Sequence, residues 1–230
     1  MLCEKLFLNL YLKLSIALLQ AQRNIRSARR GERRKSVAKR ESGVIPKKNN
    51  QGEGWIFMIL SGLEIAKKAM EGKEIIIRPF YPEKIGPNSY DLRLADKLVV
   101  YEDEVLDMKK EARTKEIIIP EEGFVLQPGN LYLGSTLEYT ETHGYVPMLE
   151  GRSSLGRLGI SIHVTAGFGD VGFKGHWTLE IHCLHPVRIY AGERICQVYY
   201  HKIEGDYVPY KGKYQANTGV QASMKYKDGN

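Results

Sequence analysis

The stretch EIIIPEEGFVLQPGNLYLGSTLEYTETHGYVPML, residues 116–149, decides the fold. Its apolar runs are short, rich in Ile, Val, Leu and Tyr, and cut by Glu121-Glu122-Gly123 and Pro128-Gly129. β-Branched and aromatic residues between such breaks pack as strands. Strands are expected at Glu116–Ile119, Gly123–Leu126, Leu131–Glu138 and Val146–Leu149. The same texture continues outward, to Glu74–Ile77, Asp91–Leu94 and Lys97–Tyr101 on one side. On the other side it reaches Thr178–Leu184, Val187–Tyr190 and Arg194–Lys202. One helix precedes them all. Ser61 and Glu64 form a capping box, Leu63, Ile65, Ala66, Ala69 and Met70 recur at helical spacing, and Gly72 stands where a helix ends. Many short strands, Gly/Pro turns and one early helix predict a mainly β domain: a sandwich, jelly roll or distorted barrel.

The 230 residues are 43% hydrophobic and 27% charged, enough for a real core and inconsistent with disorder throughout. Cys3, Cys183 and Cys196 are too few and too odd in number for a disulfide scaffold, which points to a reducing, cytoplasmic setting. The net charge of +7 divides unevenly. Residues 1–57 hold 13 Lys and Arg against 4 Asp and Glu, whereas residues 58–230 hold 21 against 23. The body is therefore near neutral, and nucleic acid is not an expected partner. Residues 4–22 are Leu-rich but broken by Lys5, Asn9 and Lys13, short of the roughly 20 apolar residues of a membrane span. Their charges follow the apolar run, unlike those of a signal peptide. Residues 1–57 read as a basic extension, disordered or lying upstream of a natural start at Met58, and membrane contact through them is not expected. Residues 58–230 form the domain, with a tail from about 205.

Chemistry concentrates in EGRSSLGRLGISIHVTAGFGDVGFKG, residues 150–175. Arg152 and Arg157 flank Ser153 and Ser154. If either serine capped a short helical turn, free backbone N–H groups and arginine forks would face one pocket, as in polyanion binding. The alternative is a loop with solvated arginines. Further on, the alternation in Thr178–Leu184 puts Leu179, Ile181 and Cys183 on one face and Thr178, Glu180 and His182 on the other. Glu180 then faces solvent or a pocket, where a shielded carboxylate can act as a general base. Asp170 reads as a turn residue. The six histidines show no HExxH, the cysteines no CxxC, and the HxE…PCxxC pattern of zinc deaminases is absent, so protein-held metal and zinc are not expected. Neither Ser153 nor Ser154 lies in a nucleophile elbow. Residues 207–219, rich in Tyr, Lys and Gly, suit either an arm closing over an anion or a frayed terminus.

Taken together, these motifs resemble the dCTP deaminases, the branch of the trimeric dUTPase superfamily that includes bifunctional deaminase–dUTPases. The resemblance runs from Met58-Ile-Leu-Ser through Gly86-Pro-Asn-Ser-Tyr-Asp-Leu-Arg-Leu94, Gly151–Gly159 and His163-Val-Thr-Ala166. It continues through Asp170, Gly172-Phe-Lys-Gly175, Thr178-Leu-Glu180, Arg194-Ile-Cys-Gln197 and Lys213-Tyr214. It implies a distorted β-barrel in a homotrimer, with sites shared between subunits. Arg152, Ser153 and Arg157 would meet the triphosphate or base, with Ser154, Leu155 and Gly156 supplying backbone. Val164, Thr165 and Ala166 would line the pyrimidine pocket and Asp170 would meet the deoxyribose. Thr178 and Leu179 would contact substrate beside Glu180, which would activate the water that attacks C4 of cytosine. Gln197, Tyr210 and Lys213 match further nucleotide contacts. Asn217 joins them where the family usually has Gln, one methylene longer. Mg2+ would arrive with the triphosphate, no zinc would be needed, and dTTP would inhibit. The main expectation is deamination of dCTP to dUTP and ammonia, in supply of dUMP for dTTP synthesis. Gly167-Phe168 after Ala166 is closer to the bifunctional members that release dUMP and pyrophosphate, which is the alternative. A dUTPase without deaminase activity and a non-enzymatic nucleotide-binding module are the competing readings, against which Glu180, Arg152 and Arg157 argue. Gly169 stands where Ile or Val is common.

Overall fold

A computed structural model describes residues 58–229. The expectations for residues 1–57, the basic extension and its lack of membrane contact, lie outside the described residues. Among those described, no helix is long and apolar enough to cross a membrane.

The expected helix is present as α1, Gly62–Glu71. The Ser61 hydroxyl accepts a 3.3 Å hydrogen bond from the backbone N–H of Glu64. Gly72 closes the helix at φ 63°, a left-handed conformation that costs glycine little. Ile65 is fully buried on the face turned to the sheets.

All ten expected strand regions form strands, with ends shifted by up to three residues. They are β1 (Ile75–Arg78), β2 (Tyr90–Arg93), β3 (Lys97–Tyr101), β4 (Thr114–Ile118), β5 (Phe124–Leu126), β6 (Tyr132–Ser135), β8 (Tyr145–Gly151), β11 (Thr178–Cys183), β12 (Val187–Ile189) and β13 (Arg194–Lys202). Three strands were not foreseen: β7 (Tyr139–Thr142), β9 (Ile160–Ile162) and the two-residue β10 (Lys174–Gly175). The region expected as one strand, Leu131–Glu138, is broken after Ser135, where Thr136 and Leu137 bond sideways to Trp177 and Arg93.

Pairing yields four sheets, in the orders β1-β7-β10, β4-β3-β6-β11-β9, β12-β5 and β2-β13-β8. The mainly β fold expected as a jelly roll or distorted barrel is present, and among the described residues the hydrogen-bonded ladders do not close into a barrel. Fully buried Leu92, Leu94, Leu98, Leu126, Leu149, Leu179, Ile181 and Val198 form the core between the sheets. Burying such side chains contributes roughly 1.5–3 kcal/mol each.

Candidate active site

β11 is an inner strand, flanked by β6 and β9, with Glu180 opposite Leu133 and Ile181 opposite Ile162. Pairing on both edges fixes the strand, and its pleat sends Leu179, Ile181 and Cys183 into the core. Glu180 leaves on the other face and lines a cavity of about 480 Å³ with His163, Ala166, Asp170 and Thr178. Phe168, Phe173, Trp177 and Tyr210 supply aromatic walls.

His163 follows β9, and its backbone N–H donates to the Glu180 carbonyl at 2.9 Å. Its ring is buried, with Nδ1 standing 2.6 Å from Oε2 of Glu180. Neither atom makes a well-directed hydrogen bond among the described residues, so the pair is close but out of line. The φ of His163 is 52°. Such a backbone costs a non-glycine residue about 1–3 kcal/mol and is characteristic of functional sites. A carboxylate beside an imidazole, behind aromatic walls, can take up and pass on a proton.

The chain end is built onto the same face. Asn217 pairs in parallel with Gly175. Its amide donates to the carbonyl of His176 at 2.9 Å, to Oγ1 of Thr178 at 3.2 Å and to the carbonyl of Gly219 at 2.6 Å. The Thr178 hydroxyl also accepts from the Gln221 N–H at 2.9 Å. Lys213 is paired with Asp228, whose carboxylate holds the ammonium above its ordinary range.

A second polar group lies on the β2-β13-β8 sheet. Asp91 binds Nε of Arg152 through Oδ1 and Nη1 of Arg194 through Oδ2, each at 3.2 Å. Gln197 is register-paired with Asp91, accepts from the Ser89 hydroxyl at 2.9 Å and donates to the Gly151 carbonyl at 3.3 Å. The short helix α2, Ser153–Gly156, follows Arg152. Its first N–H groups have no intrahelical acceptor, as at any helix start. The arginine guanidinium groups and a helix start form a surface suited to phosphate oxygens.

A family model described as dCTP deaminase-like matches residues 59–203. The chain belongs to the dCTP deaminase-like family. A Clostridium acetobutylicum protein named "dCTP deaminase, dUMP-forming" is 65% identical over 172 residues, covering 74% of this chain and 98% of that protein. A Cytophaga hutchinsonii protein of the same name is 61% identical over the same shares. Among solved structures, the 2'-deoxycytidine 5'-triphosphate deaminase of Agrobacterium tumefaciens superposes with a TM-score of 0.52 at 21% identity. That match covers 64% of this chain and 48% of the other, and it supports the fold.

Set against what the dCTP deaminase resemblance implied, the structure brings Glu180, Ala166, Asp170, Thr178, Tyr210, Asn217 and Phe168 together around one cavity. It leaves Arg152, Ser153, Ser154, Leu155, Gly156, Arg157, Gln197 and Lys213 off that cavity's lining. Val164 and Thr165 are exposed at a turn and do not line it either. Leu179 is fully buried, so its side chain serves the core and only its backbone remains for a substrate. Neither serine caps α2. The N-cap is Arg152, without a side-chain cap bond, and the serines sit inside the helix. Asn217 commits its amide N–H groups to His176, Thr178 and Gly219, and the Thr178 hydroxyl is bonded to the tail through Asn217 and Gln221. Gly167 accepts from the Leu149 N–H at 2.7 Å and Phe168 bridges Met148, so both serve to hold the loop beside the cavity.

Sequence reasoning assigned no role to His163, Asp91 or Trp177. His163 lay inside a quoted motif, and its signal was a histidine next to a glycine-rich stretch. Asp91 carried a weaker one, an acidic residue beside Leu92 and Leu94 in a short strand.

Proposed function

We propose that this chain is a dCTP deaminase of the dUMP-forming kind. Glu180 takes a proton from a water, the resulting hydroxide adds to C4 of cytosine, and the proton passes to the amino group, which leaves as ammonia. A second water then cleaves the triphosphate between its α and β phosphorus atoms. The balance is one dCTP and two waters in, with one dUMP, one ammonia and one pyrophosphate out. The single observation that carries this reading is the Glu180 carboxylate, seated against His163 in an aromatic-walled cavity. Positioned proton transfer of this sort contributes about 10²–10⁴-fold.

The sequence reading made dUTP the end product and kept dUMP as the alternative. The names of relatives at 65% and 61% identity favour the alternative, and the reading moves there. Zinc-independent activation of water by Glu180 belongs to the same proposal. The described residues offer no group of three His, Cys, Asp or Glu side chains able to hold a metal ion. Mg2+ would accompany the substrate's own phosphate oxygens, where it would neutralise charge.

The homotrimer is part of the proposal as well. Within one chain, the Arg152–Arg157 turn and the Glu180 cavity have no lining residue in common. A neighbouring copy bringing its turn to this cavity would complete a triphosphate site.

Purified protein incubated with Mg2+ and dCTP, and separately with dUTP, tests the reading. The expected products are dUMP and pyrophosphate from both, with ammonia from dCTP. Accumulation of dUTP from dCTP, with dUTP itself untouched, would restore the strict deaminase. Silence with both would end the catalytic reading.

A further inference from the structure

Gly169 and Trp177 are fitted to each other. A Cβ built on Gly169 would stand 2.4 Å from Cη2 of Trp177 and 2.8 Å from the carbonyl oxygen of Pro147. The indole thus occupies the volume that any side chain at 169 would need. Gly169 cannot retreat, because its N–H donates to that same Pro147 carbonyl at 2.9 Å.

Trp177 is held on its other sides too. Its Nε1–H donates to Oγ1 of Thr140 at 2.9 Å and its backbone N–H to Oγ1 of Thr136 at 3.0 Å. Both threonines are buried. Phe173 packs against the indole at 4.5 Å between ring centroids. The remaining direction faces the site, where the ring of His163 meets the indole edge-on, with centroids 6.4 Å apart and planes at 75°. Aromatic pairs prefer this geometry. His163 is in turn the group against the Glu180 carboxylate.

We propose that Trp177, admitted by the missing side chain of Gly169, is a positioning residue for Glu180 that acts by fixing the His163 ring. This rests on the deaminase reading given above. Nδ1 of His163 meets the Glu180 carboxylate without a well-directed hydrogen bond, so packing against the indole helps to set the ring's orientation. The indole edge is the rigid element against which it is set. A small displacement of a catalytic group can cost on the order of 100-fold in rate, and the indole is placed to prevent one.

The test separates packing from positioning. In Trp177→Leu the space beside Gly169 opens and the edge facing His163 is lost. In Gly169→Val the new side chain forces the indole away. Each single variant should lower Tm and reduce kcat for dCTP about 10- to 100-fold, with KM within about threefold of wild type. Trp177→Phe keeps an aromatic ring on Phe173 but neither the Thr140 bond nor the full reach to His163. Its kcat should fall into the same range with a smaller loss of Tm than in Trp177→Leu. A wild-type kcat in folded Trp177→Phe or Trp177→Leu would reduce Trp177 to a core filler and overturn the proposal. A wild-type protein that leaves dCTP untouched would fell the deaminase reading and this role together. An active wild type with an undiminished kcat in Trp177→Phe would fell this role alone.

Discussion

Nδ1 of His163 stands 2.6 Å from Oε2 of Glu180, held there because the His163 N–H, just past the end of β9, donates to the Glu180 carbonyl on β11. That relationship turns a carboxylate on a strand face into a placed base. His163→Ala should leave the fold intact and lower kcat for dCTP about 10- to 100-fold, with KM little changed. Steady-state kinetics on the folded variant would check this, and unaltered kcat would show that the imidazole does not orient Glu180.

An ion pair with a fully buried carboxylate links β2 to the segment between β6 and β7. Glu138 is fully buried, with Oε1 accepting from Nε of Arg93 and Oε2 from the Arg93 backbone N–H, both at 2.7 Å. Removing one partner strands the other without water. Arg93→Ala should cost about 3–5 kcal/mol of stability, measured by urea unfolding.

The helix start gives a smaller effect. Ser61→Ala removes the acceptor for the Glu64 N–H. The expected loss is about 1 kcal/mol, visible as a lowered urea midpoint with an unchanged slope.

This helix is also the most legible part of the molecule, because a capping box and a terminal glycine act within a few residues of themselves. The strands were readable for the same reason, since β-branched runs between Gly and Pro breaks carry their own signal. β10 was not, because two residues, Lys174 and Gly175, have no periodicity and are defined by their partner β7. β9 was hidden in a glycine-rich stretch read for its chemistry. In the site, the alternation in β11 separated Leu179 from Glu180 correctly but could not say whether Glu180 met water or a cavity. That depends on His163 and on Phe168, Phe173 and Trp177, which other segments bring. The tail was legible as composition only. That Asn217 would spend its amide on the carbonyls of His176 and Gly219 follows from docking geometry, which no local pattern encodes.

Acid should expose a further carboxylate. Burial works to raise the pKa of Glu141, but hydrogen bonds from Tyr139 and His143 and the charge of Lys174 outweigh it and hold the group below its ordinary range. A carboxylate depressed in the folded state stabilises above its unfolded pKa of about 4.3, and that stabilisation fades as pH falls through the lower folded value. The Tm advantage of wild type over Glu141→Gln should therefore be full at neutral pH and shrink below about pH 4. A Tm difference that does not change with pH would contradict this.

The central claim concerns Glu180 alone. Wild type and Glu180→Gln are to be compared for ammonia released from dCTP and, in parallel, for equilibrium binding of dCTP with Mg2+. The account predicts that the variant binds dCTP within a few-fold of wild type yet releases ammonia at least about 100-fold more slowly. Ammonia release at the wild-type rate would contradict it.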